Sequence, residues 1–222
     1  MGFRLRPGLT YCVSAGHTIF LDVGSDRYFG LPSETDAAFR AVIDGVPIGA
    51  LERRKLHPLL STGCLVEDNE RRGWRPPVSI PGCRSELRDD ADTRHRGLGG
   101  RSIAAQCRAA MSSRRSTLER TFDCLRLERS RLRRAGPDVD AREWRRIRSA
   151  FDRTKVVRPL ADRCLVSSLA FLDVAFSRGL DARLVLGVFA APFSAHCWVQ
   201  VGDTVMNDRL DYVQSFTPIV AI

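Results

Sequence analysis

The chain has 222 residues, 44% hydrophobic and 27% charged, with a formal net charge of +9. That is apolar material enough for one large domain or two small ones, and it excludes wholesale disorder. Seven cysteines (12, 64, 83, 107, 124, 164, 197) form an odd set without a C-x-x-C pair, and the four histidines are scattered, which argues against a disulfide framework and a zinc site. Thiols of this kind point to a reducing, cytoplasmic setting. The first residues carry no apolar signal region, and no apolar run approaches the roughly 18 residues of a membrane span. Neither a metal nor another cofactor is expected. All but two of the 35 basic residues are arginines.

Taken in order, residues 9–32 predict a small antiparallel sheet: Leu9–Ser14, a turn at Ala15-Gly16, His17–Val23, a turn at Gly24-Ser25-Asp26, then Arg27–Leu31. The middle run alternates, with Thr18, Phe20 and Asp22 on one face and Ile19, Leu21 and Val23 on the other. Pro32-Ser33 opens a helix with Ser33 at the N-cap, and Gly45 stops it. Short helices to Lys55 and over Leu56–Ser61 follow, then Gly63 and a last strand, Cys64-Leu65-Val66. Residues 1–70 thus predict a three-strand, three-helix unit whose helices pack on one face of the sheet.

This order, with Tyr28-Phe29-Gly30-Leu31 ending in Pro32 and Gly63-Cys64-Leu65-Val66 closing the unit, resembles the PqqD-like peptide-recognition domain. Domains of that family hold a leader peptide as an added strand between the third strand and the third helix. The resemblance implies leader contacts at Tyr28, Phe29 and Leu31 on the sheet edge and at Leu59 and Leu60 on the facing helix. The same arrangement looks like a DNA-binding winged helix. Its recognition helix would be LHPLLST, which has no Arg and contains Pro58, so no nucleic-acid partner is expected.

Residues 71–101, rich in Pro, Gly and mixed charge, read as a linker that Trp74 and Ile80 could pin to a surface. A second domain is expected over 102–222. Its first stretch, to Ala135, predicts an apolar stripe of Ile103, Cys107, Ala110, Leu118, Phe122 and Leu125, with a break at Ser112-Ser113. The opposite face carries eight arginines between 114 and 134 and reads as either a solvated face or a docking face for an acidic partner, to be tested by reversing Arg126, Arg129 and Arg133. Gly136-Pro137 ends the element. Asp140 and Glu143 then form a capping box ahead of Trp144, Ile147 and Phe151.

The chemistry concentrates in residues 163–208. Asp162 as N-cap places Cys164 in the first turn of an apolar helix, where free N–H groups and the helix dipole favour a thiolate. Ala182–Ala190 predicts a strand covered on both faces, and His196 opens the next strand, which returns through Gly202-Asp203. A two-residue turn would pair Val201 with Thr204 and put Asp208 on the face away from His196. A three-residue turn would pair Gln200 with Thr204 and set His196 opposite Asp208. The hydrophobic pattern favours the second, with Asn207 as the alternative orienting group. A thiol, a base and a carboxylate to orient it are the parts of a cysteine nucleophile.

Cys164-Leu165, Ser168-Leu169-Ala170, Gly179, Ala182-Arg183-Leu184-Val185, Gly187, Phe193, Ala195-His196, Trp198-Val199 and Asn207-Asp208 together resemble the leader peptidases of lasso-peptide biosynthesis, the B proteins, among the transglutaminase-like cysteine peptidases. Two positions depart: Cys197 stands where Ala is usual, and Gln200 where Glu is common. The resemblance implies an α+β chain, with a PqqD-like winged-helix-like unit ahead of a papain-like transglutaminase fold. It also implies Cys164, His196 and Asp208 as catalytic residues, a precursor-peptide leader as substrate, and an ATP-dependent, asparagine-synthetase-like cyclase as partner. The rival readings are a non-catalytic peptide-binding module and an amidase or acyltransferase on the same fold.

Overall fold

The computed structural model describes residues 2–68, 78–88, 98–135, 141–155 and 164–222. Trp74, Gly136-Pro137, Asp140 and Asp162 lie outside the described residues, as do the N-cap and capping-box expectations that rest on them.

The first unit runs β1 (Gly2–Leu5), β2 (Leu9–Ser14), β3 (His17–Asp22), β4 (Arg27–Gly30), α1 (Ser33–Ile43), α2 (Ala50–Lys55), α3 (His57–Ser61) and β5 (Leu65–Asp68). β2, β3 and β4 form the antiparallel sheet read from the turns; β1, unforeseen in the sequence, pairs with β5 as a separate ribbon. Ser33 is the first helical residue rather than the cap. Pro32 holds the N-cap position and no side chain caps the helix. The Asp36 carboxylate instead accepts the Thr18 N–H at 3.2 Å, tying α1 to β3.

β3 is buried on both faces. Phe20 stacks on Phe29 at 5.1 Å and meets Phe39 of α1, in a small core with Leu56, Leu59 and Leu65. Cys12, Ile19, Leu21 and Val23 point the other way, into the large core of the second unit. A hydrogen bond from Thr10 Oγ1 to the Ile219 carbonyl at 2.8 Å fastens the junction.

The second unit comprises β6 (Ser85–Glu86), α4 (Leu98–Arg115), α5 (Leu118–Ala135), α6 (Ala141–Lys155), α7 (Cys164–Phe176), β7 (Arg183–Phe189), β8 (Ser194–Val201), β9 (Thr204–Val205), α8 (Leu210–Val213) and β10 (Thr217–Ala221). The five-stranded sheet has the order β10-β7-β8-β9-β6, with only the β9–β6 pair parallel. Residues 78–88, expected to be linker, supply its edge strand, and Ile80 and Cys83 pack against Trp198 and Phe216. Among the described residues no helix is long and apolar enough to cross a membrane.

α4 already runs at Leu98, ahead of Ser102, and the break falls at Ser116-Thr117 rather than Ser112-Ser113. Its buried face is Leu98, Ser102, Ala105 and Ala109, while Ile103 is 48% exposed. The expected stripe is therefore out of phase on this helix. α4 packs along α7, and small side chains let the two axes approach where Ile could not. On α5 and α6, Leu118, Phe122, Trp144, Ile147 and Phe151 are buried as the spacing predicts.

The arginine face of α5 is partly structural. Arg129 donates through Nε and Nη2 to both oxygens of Asp181, at 2.6 and 2.9 Å, and Arg133 Nε reaches the same carboxylate at 3.2 Å. Arg126 pairs locally with Asp123. Charge reversal at Arg129 or Arg133 would thus disturb the turn between α7 and β7, so it does not isolate a docking face. Burial pushes the Asp181 carboxyl up, but its arginine partners win and hold it below the ordinary 3.8. Because the folded value is the lower one, this contribution is whole above the ordinary value and is lost as pH falls through the depressed one.

Candidate active site

Cys164 is the first described residue of α7, and His196 lies on β8, which α7 packs against. His196 Nε2 and Asp208 Oδ2 are 2.7 Å apart. That leaves Nδ1 as the ring nitrogen for the Cys164 thiol, the neighbour with which the imidazole interacts electrostatically.

The contact arises from a register other than the one the hydrophobic pattern favours. Val201 pairs with Thr204 and Gln200 with Val205, across a two-residue turn with Gly202 at φ +58°. Glycine in the first central position is what a tight hairpin turn of this kind takes. The pattern misleads because residues 197–200 are all buried, so both faces of β8 are core and alternation carries no register information. Asp208 reaches His196 because regular pairing ends at Val205, a last bond runs from the Met206 N–H to the Val199 carbonyl at 2.8 Å, and the chain then leaves the strand.

A buried network holds that departure. Asn207 Oδ1 accepts the Val199 N–H at 2.8 Å, Asn207 Nδ2 donates to Ser168 Oγ at 2.9 Å, and Ser168 Oγ donates to the Cys197 carbonyl at 3.2 Å. One asparagine thereby ties the strand of His196, the helix of Cys164 and the loop of Asp208 together. Arg148 on α6 donates to the carbonyls of Met206 and Asp208, both at 3.1 Å. The Arg209 N–H gives Asp208 Oδ1 a bond at 2.8 Å.

An aromatic wall encloses the imidazole: Trp198, Tyr212 and Phe216 have ring centroids 6.4, 4.9 and 5.2 Å from it. Trp198 lies over Gly187, the residue opposite His196 on β7, where an added Cβ would stand 2.8 Å from the indole and 2.9 Å from Phe216 Cβ. Tyr212 and Phe216, spaced i and i+4 beyond the last element read from the sequence, went unassigned there, as did Arg148 and the network role of Ser168.

The electrostatics follow from these contacts. The Cys197 thiol, which gives its hydrogen to Ser168 Oγ at 3.8 Å and also lies beside Cys164, is the main influence lowering Cys164. Burial opposes it, and the His196 hydrogen bond and charge and the Cys197 N–H assist, bringing the thiol from the ordinary 9.0 down to about 4. Burial alone would lower His196, but its bonds to Asp208 and Cys164 outweigh that and raise it from 6.5 to about 9. Cys197 itself is pushed far up by the neighbouring Cys164 and by burial, so it stays neutral. Between those two values the pair is a thiolate and an imidazolium. Among the described residues no His, Cys, Asp and Glu cluster is arranged to hold a metal.

A protein-family model described as the transglutaminase-like superfamily matches residues 105–221, just over half of the chain. The chain belongs to that superfamily. A 45-residue stretch is 49% identical to the Microcin J25-processing protein McjB of Escherichia coli, covering 20% of this chain and 22% of that relative. No solved structure matches.

In the transglutaminase-like domain the departure at position 200 has a structural counterpart. Gln200 Oε1 accepts from Trp198 Nε1 and the Cys83 thiol, both at 3.1 Å, and its Nε2 donates to the carbonyls of Pro81 and Gly202, both at 2.7 Å. A carboxylate has no hydrogens to give those carbonyls. We therefore expect Gln200→Glu to cost about 2–4 kcal/mol of unfolding free energy in urea titrations. A loss below about 0.5 kcal/mol, the range of ordinary surface changes, would refute that accounting.

The five residues placed at a leader-binding edge are split. Phe29 and Leu59 are engaged in the small core, with Leu31 and Leu60 packed against it. Tyr28 turns to the other side, against the core of the transglutaminase-like domain. Among the described residues the outer edge of β4 pairs with no strand.

Proposed function

We propose that this chain is a cysteine leader peptidase of lasso-peptide maturation. The first unit, as a PqqD-like recognition domain, holds the leader of a ribosomal precursor peptide as a strand added to β4. Cys164 cuts the amide at the leader–core junction. The observation that carries the reading is the Cys164–His196–Asp208 arrangement, with its 2.7 Å imidazole–carboxylate bond, at the start of an apolar helix.

The chemistry runs through these atoms. The Cys164 thiolate attacks the carbonyl carbon, and the bond to the leaving amine breaks as the His196 imidazolium gives that nitrogen its proton. The neutral imidazole then takes a proton from water, which attacks the thioester and releases the leader carboxylate. Asp208 keeps the ring oriented and stabilises its charged form. The Trp198 indole N–H is already donated to Gln200, so the Cys164 N–H at the helix start is the first candidate for the oxyanion. No cofactor is called for. The freed core amine would pass to an ATP-dependent, asparagine-synthetase-like cyclase, and the free state of the cysteines fits a cytoplasmic setting.

Mass spectrometry of the precursor peptide encoded beside this chain, incubated with wild type and with Cys164→Ala, each with and without the cyclase, tests the reading. A single cut at the leader–core junction, slowed about 10⁴-fold or more by the substitution, is expected. Cleavage that survives the substitution removes Cys164 as nucleophile. Leader binding without cleavage favours a binding module, and turnover of leaderless amides favours a general amidase.

A further inference from the structure

β4 sends its two central side chains to different units. Phe29 stacks in the small core, while Tyr28 lies against the core of the transglutaminase-like domain, which Cys164 and Cys197 also contact. There Tyr28 meets Phe193, ring centroids 5.4 Å apart. Phe193 is half exposed and sits on the loop between β7 and β8, three residues ahead of His196.

A groove of about 440 Å³ opens between the units at this point. Thr18, Gly30 and Leu31 form one bank, Ala190 and Phe193 the other, and Tyr28 also lines it. Three features of the groove suit an extended peptide. The outer edge of β4 is unpaired among the described residues and offers main-chain groups to an added strand. The Thr18 hydroxyl, on a residue only 1% exposed, has no hydrogen-bond partner among the described residues. Beyond the exposed His17, no ionisable side chain but the Tyr28 phenol lines the groove, so a charged substrate residue would be desolvated there without a partner. The phenol is also near the nucleophile: burial first, then negative charge at Asp26 and at the Cys164 thiolate, opposes its ionisation.

We propose that Tyr28 and Phe193 are specificity-determining residues, which together grip one uncharged side chain of the extended substrate just upstream of the scissile amide. An added strand turns alternate side chains to opposite faces. One set would then be read by the first unit, and the other by Tyr28 and Phe193 at the entrance to the thiol. The recognition sheet is thus one wall of the peptidase cleft, not a separate tether. The inference rests on the peptidase reading and adds the substrate position that the cleft inspects.

The test uses the full chain and the precursor peptide encoded beside it. Phe193→Ala, a change at a half-exposed loop position, should lower kcat/KM at least tenfold, while the rate of Cys164 alkylation by iodoacetamide stays within twofold. In a scan placing Asp or Lys at each precursor position upstream of the cut, wild type should reject charge at one position, and Phe193→Ala should relax that rejection. With a benzoylphenylalanine photoprobe in place of Tyr28 and Cys164→Ala to prevent turnover, the crosslink should map to that same stretch. Unchanged selectivity at every upstream position, or crosslinks confined to the core peptide, overturns the proposal and leaves the peptidase reading standing. Conversely, a crosslinked precursor that wild type never cleaves sinks the peptidase reading, and with it the specificity role proposed for the pair.

Discussion

Replacing Asp208 with Ala will pull the upper pH limit of the site down, and replacing Cys197 with Ala will push the lower limit up. On the peptidase reading the reactive state is the thiolate–imidazolium pair, bounded by Cys164 at about 4 and His196 at about 9. Below the lower limit the nucleophile is protonated; above the upper one the imidazolium has lost the proton that the leaving amine needs. Asp208 supplies the strongest influence raising His196, against a burial that lowers it. Without the carboxylate, burial gains and the upper limb moves towards neutrality. The rate at the optimum should also fall by about 10³- to 10⁴-fold, the scale on which losing the orienting carboxylate of a comparable triad is felt.

Cys197 acts at the other end. Its thiol is the neighbour that lowers the nucleophile most, so Cys197→Ala should shift the acid limb upward and leave the alkaline limb nearly in place. Iodoacetamide labelling of Cys164, followed by mass spectrometry of its peptide to separate it from the six other cysteines, reads the acid limb without any substrate. The pH dependence of kcat/KM for precursor cleavage reads both limbs. Two variants that move the same limb, or a Cys164 that labels like an ordinary thiol, would contradict the ion-pair description.

Asn207→Ala will damage the protein more broadly. It strips the Val199 N–H of its acceptor, on a residue with no exposed surface, and takes from Ser168 Oγ the amide that donates to it. Leaving such groups unsatisfied should cost about 3 kcal/mol. For a chain of this size that corresponds to a drop of about 6–12 °C in Tm. Cleavage should fall as well, because the same amide sets where the chain leaves β9 and so where Asp208 stands. Arg209→Ala, which removes an exposed pair with Asp211, serves as the control and should change stability by less than about 0.5 kcal/mol. An Asn207→Ala protein as stable as wild type but inactive would instead make Asn207 the group that orients the imidazole, as the alternative sequence reading had it.

What the sequence by itself determined is the local part of the structure. The turns around β2, β3 and β4, the apolar helix that carries Cys164, and the strand carrying His196 all follow from spacing, glycine placement and composition within a few residues. The three residues proposed for the site were nominated on the same local grounds, all within 45 positions, and Cys164 and His196 lie on elements whose pattern is local.

The tertiary structure alone decided the rest, wherever a pattern depends on what lies across from it. With β8 buried on both faces, alternation could not report register, and the contact of His196 with Asp208 came from the end of a ladder that Asn207 and Arg148 hold. The buried face of α4 is set by how closely α7 approaches, which selects Ala105 and Ala109 over Ile103. Arg129 and Arg133 look like a free charged face until Asp181, about fifty residues away in sequence, is folded against them. Tyr28 and Phe29 are neighbours of similar chemistry, and only the packing of two units on opposite faces of one sheet sends one to a core and the other to the cysteine site. In each case the deciding partner is distant in the chain, and sequence patterning carries no term for it.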